Sequence, residues 1–393
     1  MKPKRLLQFI SAGLFFLMNS SGVLHAQALT EAQTNGSRFN SIRTAVPFLL
    51  ITPDARIGGM GEAGVAIAPD ANSIGINPSK IAFLEPQSGF SISYSPWLKN
   101  IASDINLGYL SGYYKIDANS TLGTSLRYFS FGKIQLTDVN QQDLGTFSPS
   151  ELAVDVTYAR RFGDSFSLGT ALRYINSNIA TNQFSPGQDA RAGQALAVDV
   201  SAYFKKQTYW LGHDAILSAG MNISNIGTKI SYADVGEEYF LPTNLKIGAA
   251  GTFILDEQNE ITIALDFNKL LVPTQPLYNE DGTIQSGKDP DRSVPSGIFG
   301  SFTDAPGGTG EELREINIAS GLEYWYNKKF ALRAGYFYEN PQKGDRRYFT
   351  MGTGIRYNAM ELNFSYLLAN SQNSPLANTL RFSLLFNFGI TDQ

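Results

Sequence analysis

From Ser88 to the end of the chain, apolar and polar residues alternate with a period of two, segment after segment. Phe90, Ile92 and Tyr94 alternate with Ser91, Ser93 and Ser95. Leu152, Val154, Val156 and Tyr158 alternate with Ala153, Asp155, Thr157 and Ala159, and Leu380, Phe382, Leu384, Phe386 and Phe388 close the series. Period two gives a strand one apolar and one polar face. About fourteen such segments occur, starting near Ser88, Ile105, Thr121, Glu151, Phe166, Gln194, Ala215, Asn244, Asn259, Glu315, Phe330, Tyr348, Met360 and Asn378. Most are close to the length of about 9–11 residues with which a tilted strand crosses a bilayer, and an even number suits a closed single-chain barrel.

The connections sort in the same way. Asp117–Asn119, Gly163–Asp164, Asp256–Gln258, Asn327–Lys328 and Asn358–Ala359 are short, and only Lys205–Asp214 breaks their pattern. The alternate connections, such as Gly132–Ser150, Ser177–Gly193, Ser224–Thr243 and Leu271–Arg314, are long. Outer-membrane barrels have short periplasmic turns and long outer loops. The expectation is an all-β, fourteen-stranded antiparallel transmembrane barrel over 88–393, with both termini in the periplasm.

Pro47–Phe83 has neither a helix nor a strand period throughout. It is rich in Gly and Ala and ends in the Asn77-Pro78 turn. It predicts a compact plug, within 29–87, packed in the barrel lumen. Gly58, Gly59, Gly61 and Gly64 would permit close backbone approach there. Gly59, Gly61 and Gly64 also fit G-x-G-x-x-G, but no βαβ unit surrounds them, and dinucleotide binding needs one.

Residues 1–28 read as an export signal: Lys2, Lys4 and Arg5, then the apolar run Leu6–Met18, then a small-residue cleavage site after Ala26 or Ala28. Composition supports the membrane destination. The 393 residues are 43% hydrophobic and 12% aromatic, with 37 Gly. The mean hydropathy is nevertheless negative, because lipid-facing and lumen-facing residues average out. Cysteine is absent, which excludes disulfides and thiol chemistry, and a net charge of −4 without a basic block leaves no nucleic-acid surface.

One phrase occurs three times: Leu122–Tyr128, Leu168–Tyr174 and Met351–Tyr357, each carrying Gly-Thr in second and third place and Arg-Tyr at its end. An Arg facing lipid at mid-membrane costs about 2–4 kcal/mol, so Arg127, Arg173 and Arg356 should face the lumen. Asp155, Asp199 and Asp266 share that facing and could pair with them. A salt-bridge lattice that fills the lumen is favoured over a charged path for a solute. Tyr94, Trp97, Tyr324, Trp325 and Tyr326, at strand ends, are candidates for the aromatic girdles at the membrane interfaces. No catalytic or metal-binding constellation stands out. His213 is alone, and Glu280, Asp281, Asp289 and Asp291 do not have EF-hand spacing. The chain is expected to be neither an enzyme nor a cofactor carrier.

Gly64–Asp70 followed by Asn77-Pro78-Ser79 is similar to the N-terminal hatch of the long-chain fatty acid transporter family, with Ser79 where that family has Ala. Pro47–Arg56, Gly58–Gly64 and Ile76–Lys80 more specifically resemble the PorV family of the type IX secretion system. That resemblance implies a non-catalytic shuttle in the outer membrane, with lipid around it. It would take secreted proteins bearing type IX C-terminal signal domains from the translocon barrel. It would pass them to the PorU-containing attachment complex. Binding residues collect on loops held by a rigid scaffold. Phe147, Phe184, Tyr239, Phe240, Ile298, Phe299 and Phe302, in or beside the outer loops, are the candidate partner-binding residues. The alternative is a channel for hydrophobic small molecules.

Overall fold

The computed structural model describes residues 40–99, 102–137, 140, 142–179, 190–233, 236–279, 281–369 and 376–389. Fourteen of its strands close one barrel. They are β1 (Ser88–Pro96), β2 (Asn106–Lys115), β3 (Ser120–Ser130), β6 (Ser150–Phe162), β7 (Phe166–Asn178), β8 (Gly193–Trp210), β9 (His213–Gly227), β10 (Asn244–Ile254), β11 (Asn259–Leu270), β14 (Asn317–Tyr326), β15 (Phe330–Tyr338), β16 (Arg347–Tyr357), β17 (Met360–Ala369) and β18 (Leu380–Phe388). Every neighbouring pair is antiparallel, and β1 closes on β18 from Ser88↔Phe388 to Tyr94↔Phe382. Closure removes the two free edges that an open sheet would leave in lipid.

The register puts each period-two pattern where the sequence placed it. In β7, Leu168 and Leu172 stand outward and exposed, while Ser167, Ala171 and Arg173 are buried inside. Ile92, Leu110, Val156, Ile263, Leu332, Met351 and Leu362 continue this apolar belt around the barrel. Among the described residues, no helix is long and apolar enough to cross a membrane.

The long connections all lie at one end. One carries the hairpin β4 (Ile134–Thr137) and β5 (Asp143–Phe147). Another carries β12 (Leu277–Tyr278), β13 (Ile284–Ser286) and the helices Val294–Gly300 and Thr309–Arg314. At the short-turn end, Lys205–Asp214 is not the longer connection its composition suggested. β8 runs on to Trp210 and β9 starts at His213, which leaves the two-residue turn Leu211-Gly212. Beyond the lipid both faces of a strand are wet, so Lys205, Lys206 and Gln207 carry no alternation to read.

Two girdle candidates face the other way. Trp97 and Trp325 are buried inside the barrel, Trp97 under Arg381 and Trp325 against Arg333 and Arg356. Position at a strand end fixes depth, not face. Trp325 shares the parity of the buried Ala319, Gly321 and Glu323. Tyr94 and Tyr326 do stand exposed on the outer face.

Residues 40–87 form an inner segment. Asn40 and Ala45 bond to Gln342 and Phe240 at the long-loop end, and Leu84 packs with Tyr113 and Leu385 near the short-turn end, where β1 begins. In between lie the helix Ala55–Gly59 and the 3-10 turns Pro47–Leu50, Ala71–Gly75 and Pro78–Phe83. Local capping explains the breaks. The Asp54 carboxylate accepts from Arg56 N and Ile57 N, Asp70 and Ser73 form a capping box, and Asn77 accepts from Ser79 N. Asn40, the first described residue, is thus at the long-loop end, whereas β18 finishes at the short-turn end. Both termini themselves lie outside the described residues.

Candidate functional site

The inner segment meets inward-facing side chains around the whole circumference. It touches Ser383 on β18, Thr350 on β16, Glu323 on β14, Asp266 on β11, Asn222 on β9, Ser201 on β8, Ser167 on β7, Arg127 on β3 and Ser111 on β2.

The glycines sit where the backbones touch. Gly61 has φ +64°, and a Cβ on it would stand 2.4 Å from the backbone nitrogen of Tyr336. Both the left-handed backbone and the missing side chain are therefore required there. Gly59 faces Gly352 across backbone atoms, Gly58 lies against the Arg381 side chain, and Gly64 N–H donates to Asp266 at 2.7 Å. Asn77 Nδ2 donates to the carbonyls of Val65 (2.9 Å) and Ala202 (3.2 Å), and Pro78 opens the turn that brings Ser79 N to Ser201 Oγ at 2.9 Å.

The three repeated-phrase arginines differ in their partners. Arg173 is buried and binds Asp155 at 2.6 Å and Asp199 at 3.0 Å. Arg127 is also buried, but it donates to the Leu49 carbonyl at 2.7 Å and stacks on Tyr109. Arg356 has inward parity near the short-turn end. It pairs with Glu361 at 2.7 Å, lies over Trp325, and its side chain is 44% exposed. Asp266 pairs with none of them. It receives the backbone N–H groups of Gly64 and Val65.

Sequence reasoning missed the charges that tie the segment to the wall. Arg56 forks onto Glu323 at 2.8 and 2.9 Å and also reaches Asp70 at 3.0 Å. Glu323 in turn binds Arg333 at 2.6 Å, and Arg381 binds Glu62 at 2.9 Å. The available signal was Glu323, an acid on the inward parity of β14, matched to Arg56, the one Arg within Pro47–Phe83.

At the long-loop end, a cavity of about 560 Å³ opens between segment and rim, lined by Ile42, Arg43, Pro47, Leu50, Leu270 and Arg346 among others. The helix Thr309–Arg314 is fixed beside it. Lys269 binds Glu312 (2.9 Å) and Glu315 (2.6 Å), and Lys343 binds Glu315 (3.0 Å) and Glu311. Above this polar layer Phe299 is 78% exposed, Leu313 69% and Phe302 46%. Leu313 was not singled out from sequence. Tyr239 is exposed, whereas Phe240, Ile298 and Phe147 are half-buried, Phe240 beside Lys229 and under Gly297. Phe184 lies outside the described residues.

Several solved structures are similar to this chain at low identity. The Pseudomonas putida toluene transporter TodX is 12% identical, with 85% of this chain and 97% of that one covered and a TM-score of 0.47. The CymD monoaromatic hydrocarbon channel is 13% identical, with coverages of 87% and 99% and a TM-score of 0.48. A Pseudomonas aeruginosa FadL homologue is 11% identical, with coverages of 89% and 100% and a TM-score of 0.44. No curated protein matches the chain. The family model of the type IX secretion system protein PorV matches residues 33–277, more than half of the 393 residues. With a closed barrel wrapped in an apolar belt, the chain therefore belongs to the PorV family, the outer-membrane β-barrel components of the type IX secretion system.

Proposed function

We propose that this barrel is a non-catalytic docking protein. Its long loops face the cell exterior and receive cargo that bears the type IX C-terminal signal domain. The translocon barrel supplies the cargo, and the attachment complex takes it over. The short turns face the periplasm, and the inner segment acts as a plug. The observation that carries the reading is the contrast at the long-loop end. Leu313 stands exposed on the helix Thr309–Arg314, which Lys269 and Lys343 pin to the rim, and Phe299 and Phe302 stand exposed in the same long loop, Phe302 against Lys269. Exposed apolar groups on a rigid support mark interaction sites. Family membership supports the cargo class, and the filled lumen supports docking over conduction.

The test is capture of purified cargo signal domain by the full barrel in detergent. The double variant Phe299→Ser, Phe302→Ser should lose about tenfold in affinity, equivalent to about 1.4 kcal/mol, while the barrel keeps its heat-modifiable migration. Unchanged capture by a folded variant would sink the reading. The rim cavity favours a second reading, a channel for hydrophobic small molecules. That reading requires uptake of such a molecule into liposomes, abolished when Leu50→Trp fills the cavity.

A further inference from the structure

The β8–β9 hairpin differs from the other short turns. β7 pairs with β8 only as far as Phe166↔Phe204, and the last bond across that seam runs from Lys205 N to the Ser165 carbonyl. β8 continues to Trp210, a further ~20 Å at about 3.3 Å per residue. There it is paired on one side only, with β9, through Lys206↔Leu217, Thr208↔Ala215 and Trp210↔His213. Backbone groups of a strand point alternately to its two sides. Since Lys205 N–H points to the β7 side, Gln207 and Tyr209 present their N–H and C=O groups to the open edge.

The tip strengthens the distinction. Leu211 has φ +53° and Gly212 φ +84°, the backbone of a two-residue hairpin turn that favours Asn-Gly. The other left-handed residues in the short turns are Gly163, Asn327, Lys328 and Asn358. Here a branched apolar residue holds that conformation while 72% exposed, and its neighbour Tyr209 is 71% exposed. Neither local conformation nor solvation favours Leu at such a place, whereas burial by a partner would.

We propose that this free edge docks an extended segment of a partner protein, which adds as a strand beside Gln207 and Tyr209 and covers Leu211. A row of unpaired backbone donors and acceptors is complementary to another extended backbone. Lys206 and the half-buried Lys205 favour an acidic segment. The periplasmic side of this site rests on the orientation given under Proposed function.

The experiment places p-benzoylphenylalanine at position 207 of the full chain and irradiates whole cells. One discrete protein adduct is expected. It should fall at least tenfold in Tyr209→Pro, which removes the edge N–H, and persist in Tyr209→Phe. Heat-modifiable migration shows that each variant is folded. Hydrogen exchange of the unsubstituted chain is independent of the Pro variant. The Gln207 and Tyr209 amides should exchange at least tenfold more slowly in the complex extracted with mild detergent than in the isolated barrel. Adducts with lipid alone, an adduct insensitive to Tyr209→Pro, or equal exchange in the two preparations would overturn the docking. The chain has no cysteine, so Leu211→Cys gives a single thiol. Its labelling on intact cells by an impermeant maleimide would overturn the orientation instead.

Discussion

The two halves of the lumen hold the inner segment by different chemistry. On the β14–β18 side the wall offers charges to it: Glu323 takes Arg56, and Arg381 takes Glu62. On the β6–β9 side the wall keeps its charges to itself, with Arg173 locked between Asp155 and Asp199. There the segment is held by hydroxyl and amide groups, through Ser201 and Ser167 on Ser79 and through Asn77 on Ala202. A wall-to-wall pair stiffens the barrel whether or not the segment is present. A wall-to-segment pair exists only while the segment is in place. Removing a charge should therefore have opposite consequences in the two halves.

The largest effect is expected for Arg173→Ala. It strands two buried carboxylates, and breaking a buried pair by removing one partner costs about 3–5 kcal/mol. The loss should appear in the urea midpoint of the whole barrel, with protease protection of the inner segment unchanged below that midpoint. Glu323→Ala should cost about 3 kcal/mol, at the lower end of that range, because Arg56 retains Asp70 and Arg333 retains Asn363. Here the order reverses. The segment should become cleavable near Arg56 at urea concentrations where the barrel still migrates as folded. If both variants expose the segment equally, the two halves do not differ as described.

Ser201→Ala provides a smaller measure of the hydroxyl-bonded half. It removes one hydrogen bond to Ser79 N, worth about 1 kcal/mol, because Asn77 Oδ1 still accepts from the same N–H. Cleavage of the segment should rise about fivefold, far less than in Glu323→Ala. An effect as large as that of Glu323→Ala would show that the hydroxyl contacts, not the ion pairs, keep the segment in place.

The barrel was legible in the sequence because lipid on one side and a packed lumen on the other impose alternation on every strand. Strand starts read from the pattern, such as Phe166, Asn244 and Met360, are those of the structure. The pattern failed where one of those two environments ends. It was silent past Phe204, where the hairpin leaves the lipid, and it gave Trp97 and Trp325 a depth without a face. The partners of the inward charges were less legible for a different reason. Parity places Asp266 and Arg127 in the lumen, but which group each meets depends on the path of a segment with no period of its own. Asp266 meets backbone N–H groups, and Arg127 meets a backbone carbonyl. Backbone partners leave no complementary charge in the sequence to find.

The long-loop rim is held by ion pairs like those in the charged half of the lumen, and its response to pH is the smallest of these effects. Burial alone would raise Glu311, but the hydrogen bonds from Lys343 and Gly307 N outweigh it and hold its carboxyl below the ordinary range. A depressed carboxylate stabilises the docked helix fully above its unfolded value and loses that contribution as pH falls through the folded value. Asp304, raised by burial, acts in the opposite sense. It takes up its proton earlier as pH falls, which relieves the cost of holding a buried charge. Docking of Thr309–Arg314 should therefore not weaken from pH 7 to about 4.5, with the loss confined to lower pH. A spin label on Leu313→Cys reads this directly, as mobility that rises only below about pH 4. Mobility that rises instead between pH 7 and 5 would show that Glu311 is not what fastens the helix to the rim, and that the exposed apolar groups above it rest on other contacts.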